Sequence, residues 1–176
     1  MAHILNKYIT RKDMPAFIFI AAAGTLNHFL YEWTGSPFAA FFCPVNESVW
    51  EHLKLLFFPF LFWSLWNYIR KKPDASSYFF YHFLAIICGM LSILVLFYTY
   101  TGIIGKNFLL LDILTFLLGI LITLHMIPRL RRYFSSVPSV EAVYTAWMAV
   151  ILCFFIFTCF PPDIPLFFVT IHGQCH

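Results

Sequence analysis

Apolar residues in this chain fall in long blocks separated by short polar punctuation, not at the one-in-two or one-in-three spacing of a half-buried strand or surface helix. A membrane-crossing helix needs about 20 mostly apolar residues. Five blocks qualify: Met14–Trp33, Val45–Ile69, Tyr78–Tyr100, Phe108–Ile127 and Val140–Phe160. KKPDASS separates the second from the third, TGIIGKN the third from the fourth, and PRLRRYFSSVPS the fourth from the fifth. Pro59 removes a backbone donor within the second block and is expected to bend it. Two further apolar stretches, Ser36–Pro44 and Pro161–His176, are too short and too broken by proline to span. The predicted fold is therefore all-α: a polytopic transmembrane helix bundle of five spans, with short re-entrant or interfacial segments capping its outer side.

Composition agrees with this pattern. The 176 residues are 61% hydrophobic, 21% aromatic and only 11% charged, against about 25% charged in soluble domains. The 23 Phe residues exceed what a soluble core of this size can enclose, so lipid is the expected solvent. The N-terminus, MAHILNKYITRKDMP, leads into a full-length span without a signal-peptide cleavage pattern. No repeat, low-complexity tract or long linker is present, so residues 1–176 are expected to form one domain. The five cysteines show no CxxC spacing. Cys88, Cys153 and Cys159 lie in apolar runs, where the thiol acts as a small hydrophobe; a Cys43–Cys175 disulfide would be allowed by the topology.

Charge sets the expected orientation. Of 11 Lys and Arg residues, nine (Lys7, Arg11, Lys12, Arg70, Lys71, Lys72, Arg129, Arg131 and Arg132) fall on one side of a five-span arrangement. Lys106 stands opposite and Lys54 lies within a span. The positive-inside rule then places the N-terminus in the cytoplasm and the C-terminus outside.

With that orientation, the polar residues inside the apolar blocks collect near the outer surface. His28 and Glu32 occupy the outer half of the first span. Asn46, Glu47, Glu51, His52 and Lys54 occupy the outer third of the second, and Asp112 lies about one turn into the fourth. His28 and Glu32, four apart, share a helix face. Glu47, Glu51 and Lys54 fall within about 60° of one another if the helix is continuous, and His52 points roughly 100° from Glu51. A site built from His28, Glu32, Glu47 and Glu51 as ligands, with Glu47, Glu51 and His52 as catalytic groups and Asn46, Lys54 and Asp112 as additions, is the sharp reading. Carboxylates with one or two imidazoles suit Zn²⁺, Mn²⁺ or Fe²⁺, or Mg²⁺ and Ca²⁺ if oxygens dominate. Ionisable groups at membrane depth are costly unless paired or wet, which makes them functional candidates.

Plainer readings compete. Ser48-Val49-Trp50-Glu51 fits a capping box, and Glu47 complements a helix dipole. Glu51 and Lys54 can neutralise each other along the helix, the better account of Lys54. His28 and Glu32 can bond neighbouring helices together. His82 and His125 read as headgroup-level residues at the inner surface. The tryptophans read as interfacial belt or packing, apart from Trp50 beside the polar stripe. No phosphate-binding glycine loop, nucleophile elbow, HExxH or nucleic-acid motif occurs, so a nucleic-acid partner is not expected.

Over NHFLYEWTGSPFAAFFCPVNESVWEHLKLLFFPF the chain resembles a family of small, uncharacterised prokaryotic membrane proteins grouped as a domain of unknown function. The resemblance implies a bacterial plasma membrane and marks the block carrying His28 to His52 as a hallmark, with no activity attached. Three functions stay open: a metal-dependent enzyme acting on a lipid or other membrane-embedded substrate, a small transporter or cation-binding subunit, and a non-catalytic assembly partner. Membrane lipids are the expected surroundings; a homo-oligomer or protein partner is left open.

Overall fold

The computed structural model describes residues 13–168, which form five α-helices: α1 Met14–Thr34, α2 Val49–Lys71, α3 Ala75–Ile104, α4 Leu109–Tyr133 and α5 Val140–Cys159. Single 3₁₀ turns at Ala39–Phe41 and Pro165–Phe167 lie in the two capping segments, and no strand occurs among the described residues. Each predicted block corresponds to one helix, but the bounds move for physical reasons. α2 starts four residues later than Val45, because Ser48 is its N-cap and accepts from the Glu51 amide at 3.3 Å. α4 runs through Pro128 into the RLRR segment expected to be loop. Leu130 packs there against Tyr81 and Ala85, and Tyr81 donates to Phe134 O at 2.9 Å.

α1, α3, α4 and α5 are long and apolar enough to cross a membrane. They leave large apolar side chains such as Ile18, Leu26, Val95, Leu110 and Met148 exposed along their outer sides. Such surfaces are those of a multi-pass membrane protein. α2 is the exception in apolarity, although its second half likewise exposes Phe62, Leu65, Trp66 and Ile69. It is less apolar overall, yet every residue from 53 to 60 is buried, which a helix achieves only when neighbours surround it. Phe57, Phe58 and Phe60 form the centre of the core with Ile20, Ile86, Ile120 and Phe154.

Close approach is bought with small residues, as in other membrane bundles. A Cβ on Gly89 of α3 would lie 1.8 Å from Thr123 Oγ1 of α4. A Cβ on Gly24 of α1 would lie 2.6 Å from Leu55 O of α2. Leu55 O is the carbonyl that an amide at position 59 would engage, and Pro59 has none to offer. Glycine lets the backbone of α1 cover that freed carbonyl.

Successive helices alternate in direction. Tyr100 of α3 donates to Asp112 of α4 at one end, where Lys54 of α2 also donates to Thr158 of α5 at 2.6 Å. Ser76 donates to Pro138 O at the other, at 2.6 Å. The latter end carries Arg70, Lys71, Arg129, Arg131 and Arg132; Lys7, Arg11 and Lys12 lie outside the described residues. His82 departs from its expected headgroup position: it is buried between α2 and α3, its Nδ1 2.7 Å from Tyr78 O and its ring stacked on Tyr78.

Candidate functional site

The segment from Gly35 to Ser48 folds back over one end of the bundle. Phe41 and Phe42 seat it on Phe155 of α5, and Phe42 also meets Phe58 of α2. From α1, the Asn27 amide donates to Phe42 O at 2.7 Å, while its Oδ1 accepts from the Cys43 thiol at 3.0 Å. Cys43 is thus a buried free thiol; Cys175, the partner that the topology would allow it, lies outside the described residues. Asn46 Oδ1 accepts from Ser48 N at 2.9 Å, a local turn that brings the chain into the cap of α2.

This route separates the two glutamates. Glu47 precedes the helix, so the stripe expected for Glu47, Glu51 and Lys54 on one continuous helix does not form. Glu47 turns toward α1, and its Oε2 lies 3.3 Å from His52 Nε2. His28 presents its ring edge-on to His52, with centroids 5.2 Å apart. His28, Glu47 and His52 each offer one ligand atom, and these lie within 4.8 Å of one another. Glu51 instead points inward. Its Oε2 accepts from Lys54 Nζ at 2.7 Å and from Val45 N at 3.0 Å, and Thr158 lies 3.2 Å from Oε1.

Accessibility decides which set can meet a ligand. The Glu51 and Lys54 side chains are 3% and 0% exposed, against 45% and 31% for Glu47 and His52. Glu51 and Lys54 are therefore a buried pair, the plainer reading of Lys54, while His28 and Glu47 line a cleft and the partly exposed His52 meets Glu47 at its side. That cleft, of about 280 Å³, is also lined by Tyr31, Glu32, Pro44 and Asn46. Glu32 thus shares the cleft with the cluster. Asp112, bonded by Tyr100, belongs to the same end of the bundle but to the α3–α4 pair. Trp50 does not wall the cleft; it faces α5 and the Pro165–Phe167 turn, stacking on Phe154 and Phe167.

His52 Nδ1 lies 2.8 Å from Ser48 O. A carbonyl only accepts, so Nδ1 carries the hydrogen and Nε2 is left facing Glu47, as a lone pair in the neutral ring or as a second N–H in the protonated one. A backbone bond of this kind orients many metal-binding imidazoles. Ligands about 2.1 Å from a tetrahedral ion stand about 3.4 Å apart, close to the 3.3 Å between His52 Nε2 and Glu47 Oε2. A proton on Nε2 would make the same contact an ion pair, so proton and cation compete for one place.

The chain belongs to the family of unknown function DUF6512. The match runs over residues 2–176 and so includes every residue of the cleft. No curated protein and no solved structure matches the chain.

Within this DUF6512 protein, sequence reasoning missed Thr158 as a partner of Lys54 and Glu51. A lone threonine in VILCFFIFTC carries no signal, because such a hydroxyl ordinarily bonds back to its own helix, as Thr158 also does to Phe154 O at 2.7 Å.

Proposed function

We propose that this protein is a metal-dependent membrane enzyme that holds a divalent ion through His28, Glu47 and His52. The observation that carries the reading is the convergence of two imidazoles and one carboxylate from α1, the loop and α2. Two nitrogens and one oxygen suit Zn²⁺ or Fe²⁺ better than Ca²⁺ or Mg²⁺, which prefer all-oxygen sites. Three protein ligands leave a coordination position for water or substrate, the mark of a catalytic site. Glu32, in the same cleft but outside the trio, is the acid–base group for hydrolysis or group transfer on a lipid or other membrane-embedded substrate.

The same reading has all five helices cross the bilayer as one domain, with α2 enclosed by its neighbours over residues 53–60. The basic end lies in the cytoplasm of a prokaryotic cell and the cleft just beneath the outer surface, with lipid around the bundle. The segments capping the cleft dip into the outer leaflet. A transport role is disfavoured because Phe57, Phe58, Phe60 and Phe154 fill the interior beneath the site.

Metal analysis of the protein purified without chelator, followed by Zn²⁺ titration, tests the proposal. Near-stoichiometric binding by wild type and its loss in His28→Ala, Glu47→Gln and His52→Ala are expected. Absence of binding in wild type, or its persistence in all three variants, overturns it. A stability loss without any metal effect would leave the cluster as helix-bonding glue.

A further inference from the structure

We propose that Glu51, Lys54 and Thr158 form a clasp that holds the segment from Ala40 to Glu47 so that Glu47 stands within ligand distance of His28 and His52. The proposal rests on the metal-site reading above. These three are positioning residues, since none of them faces the cleft.

The geometry is specific to that task. Lys54 Nζ carries three protons and finds Thr158 Oγ1 at 2.6 Å, Glu51 Oε2 at 2.7 Å, Ala40 O at 3.0 Å and Cys43 O at 3.4 Å. Two of these acceptors are carbonyls of the segment that leads to Glu47. Glu51 grips the same segment at the Val45 amide. Asn27, the residue before His28, holds Phe42 and Cys43 from the opposite side. The segment is thus pinned to α2, which carries His52, and to α1, which carries His28.

Stability alone is a weak reason for such a pair. A buried ion pair contributes little beyond well-packed apolar side chains of similar volume. What apolar side chains cannot do is bond the carbonyls at 40 and 43 and the amide at 45. Those bonds fix the loop that supplies one ligand, as the outer bonds around a metal site generally do.

Cys43 supplies a second readout independent of metal. It belongs to the clasped segment and its side chain is buried, so maleimide labelling mapped to Cys43 by mass spectrometry reports release of the loop. The double variant Glu51→Leu with Lys54→Met removes the clasp without stranding a charge. It is expected to weaken Zn²⁺ binding by about 10- to 100-fold and to open Cys43 to labelling in the folded protein. Thr158→Val, which removes one brace, is expected to shift both readouts severalfold in the same direction, and it decides the matter alone if the double variant does not fold. Folded variants with wild-type Zn²⁺ affinity and a protected Cys43 overturn the clasp. Failure of wild type to bind Zn²⁺ overturns the metal reading instead, and Cys43 labelling then still tests the clasp.

Discussion

Gly24→Ala adds one methyl group where α1 covers the carbonyl that Pro59 leaves free. The new Cβ would lie 2.6 Å from Leu55 O and 2.7 Å from Phe116 Cζ, each some 0.7–0.8 Å inside the 3.4 Å of ordinary contact. The Phe116 ring tip can swing aside. The Leu55 carbonyl cannot, being backbone of the most enclosed helix in the bundle, so α1 must back away. Overpacking of this kind costs about 1–3 kcal/mol. Because His28 sits one turn beyond Gly24, the displacement also draws that imidazole away from Glu47 and His52, and Zn²⁺ affinity should fall together with stability. Gly102→Ala is the matched control: it lies within α3 with nothing inside 4 Å of its added Cβ, so the same substitution should be neutral or gain up to about 1 kcal/mol from reduced backbone freedom. Thermal unfolding of both variants in one detergent provides the comparison. A Gly24→Ala protein that melts no lower than wild type would refute the close-approach argument.

Other expectations follow from the same structure. Lys54→Met alone leaves Glu51 as an unpaired buried anion and should cost about 3–5 kcal/mol, whereas the double variant described above should recover most of it; denaturant unfolding of both measures the difference. Glu32→Gln should bind Zn²⁺ as wild type does while abolishing turnover of any substrate found for the loaded protein, because Glu32 lies outside the ligand trio. At the basic end, Ser77 donates its N–H at 2.9 Å and its hydroxyl at 2.8 Å to the Asp74 carboxylate, and these bonds hold Asp74 below the usual carboxylate range. That stabilisation is complete above pH about 4 and is lost as the pH falls through the lowered folded-state value. Melting curves of Asp74→Ala should therefore differ from wild type at neutral pH and converge with it in acid.

The helices were legible because lipid leaves so strong a compositional mark: block length located all five, and six of the eight described Lys and Arg residues, all but Lys54 and Lys106, gather at one end as the charge pattern predicts. The bounds were less legible where a local bond competed with hydropathy. Ser48 and Asn46 spend their side chains on backbone amides, which starts α2 late and takes Glu47 off the helix. The concentration of polar groups at one end was readable, but its division into two sets was not. Helical spacing puts Glu51 and Glu47 on one stripe; the turn at Pro44–Ser48 sends one to the cleft and the other to Lys54. Nothing in a single sequence reveals that Thr158, more than 100 residues later, completes the inner set. His82 reads as a surface residue by depth alone and is buried because Phe60 and Tyr78 close over it.

The reliance of Lys54 on Thr158 bears on how such a chain is made. On the proposed five-span reading, α2 leaves the insertion machinery before α5 has been synthesised, carrying an ammonium group and a carboxylate into a fatty surrounding with only each other and the preceding loop as partners. Among the described helices it is also the one whose composition falls short of a membrane-crossing segment. Its final seating is then a late act of biogenesis, completed when the last segment arrives, and a chain truncated before α5 should be the species that cellular quality control removes.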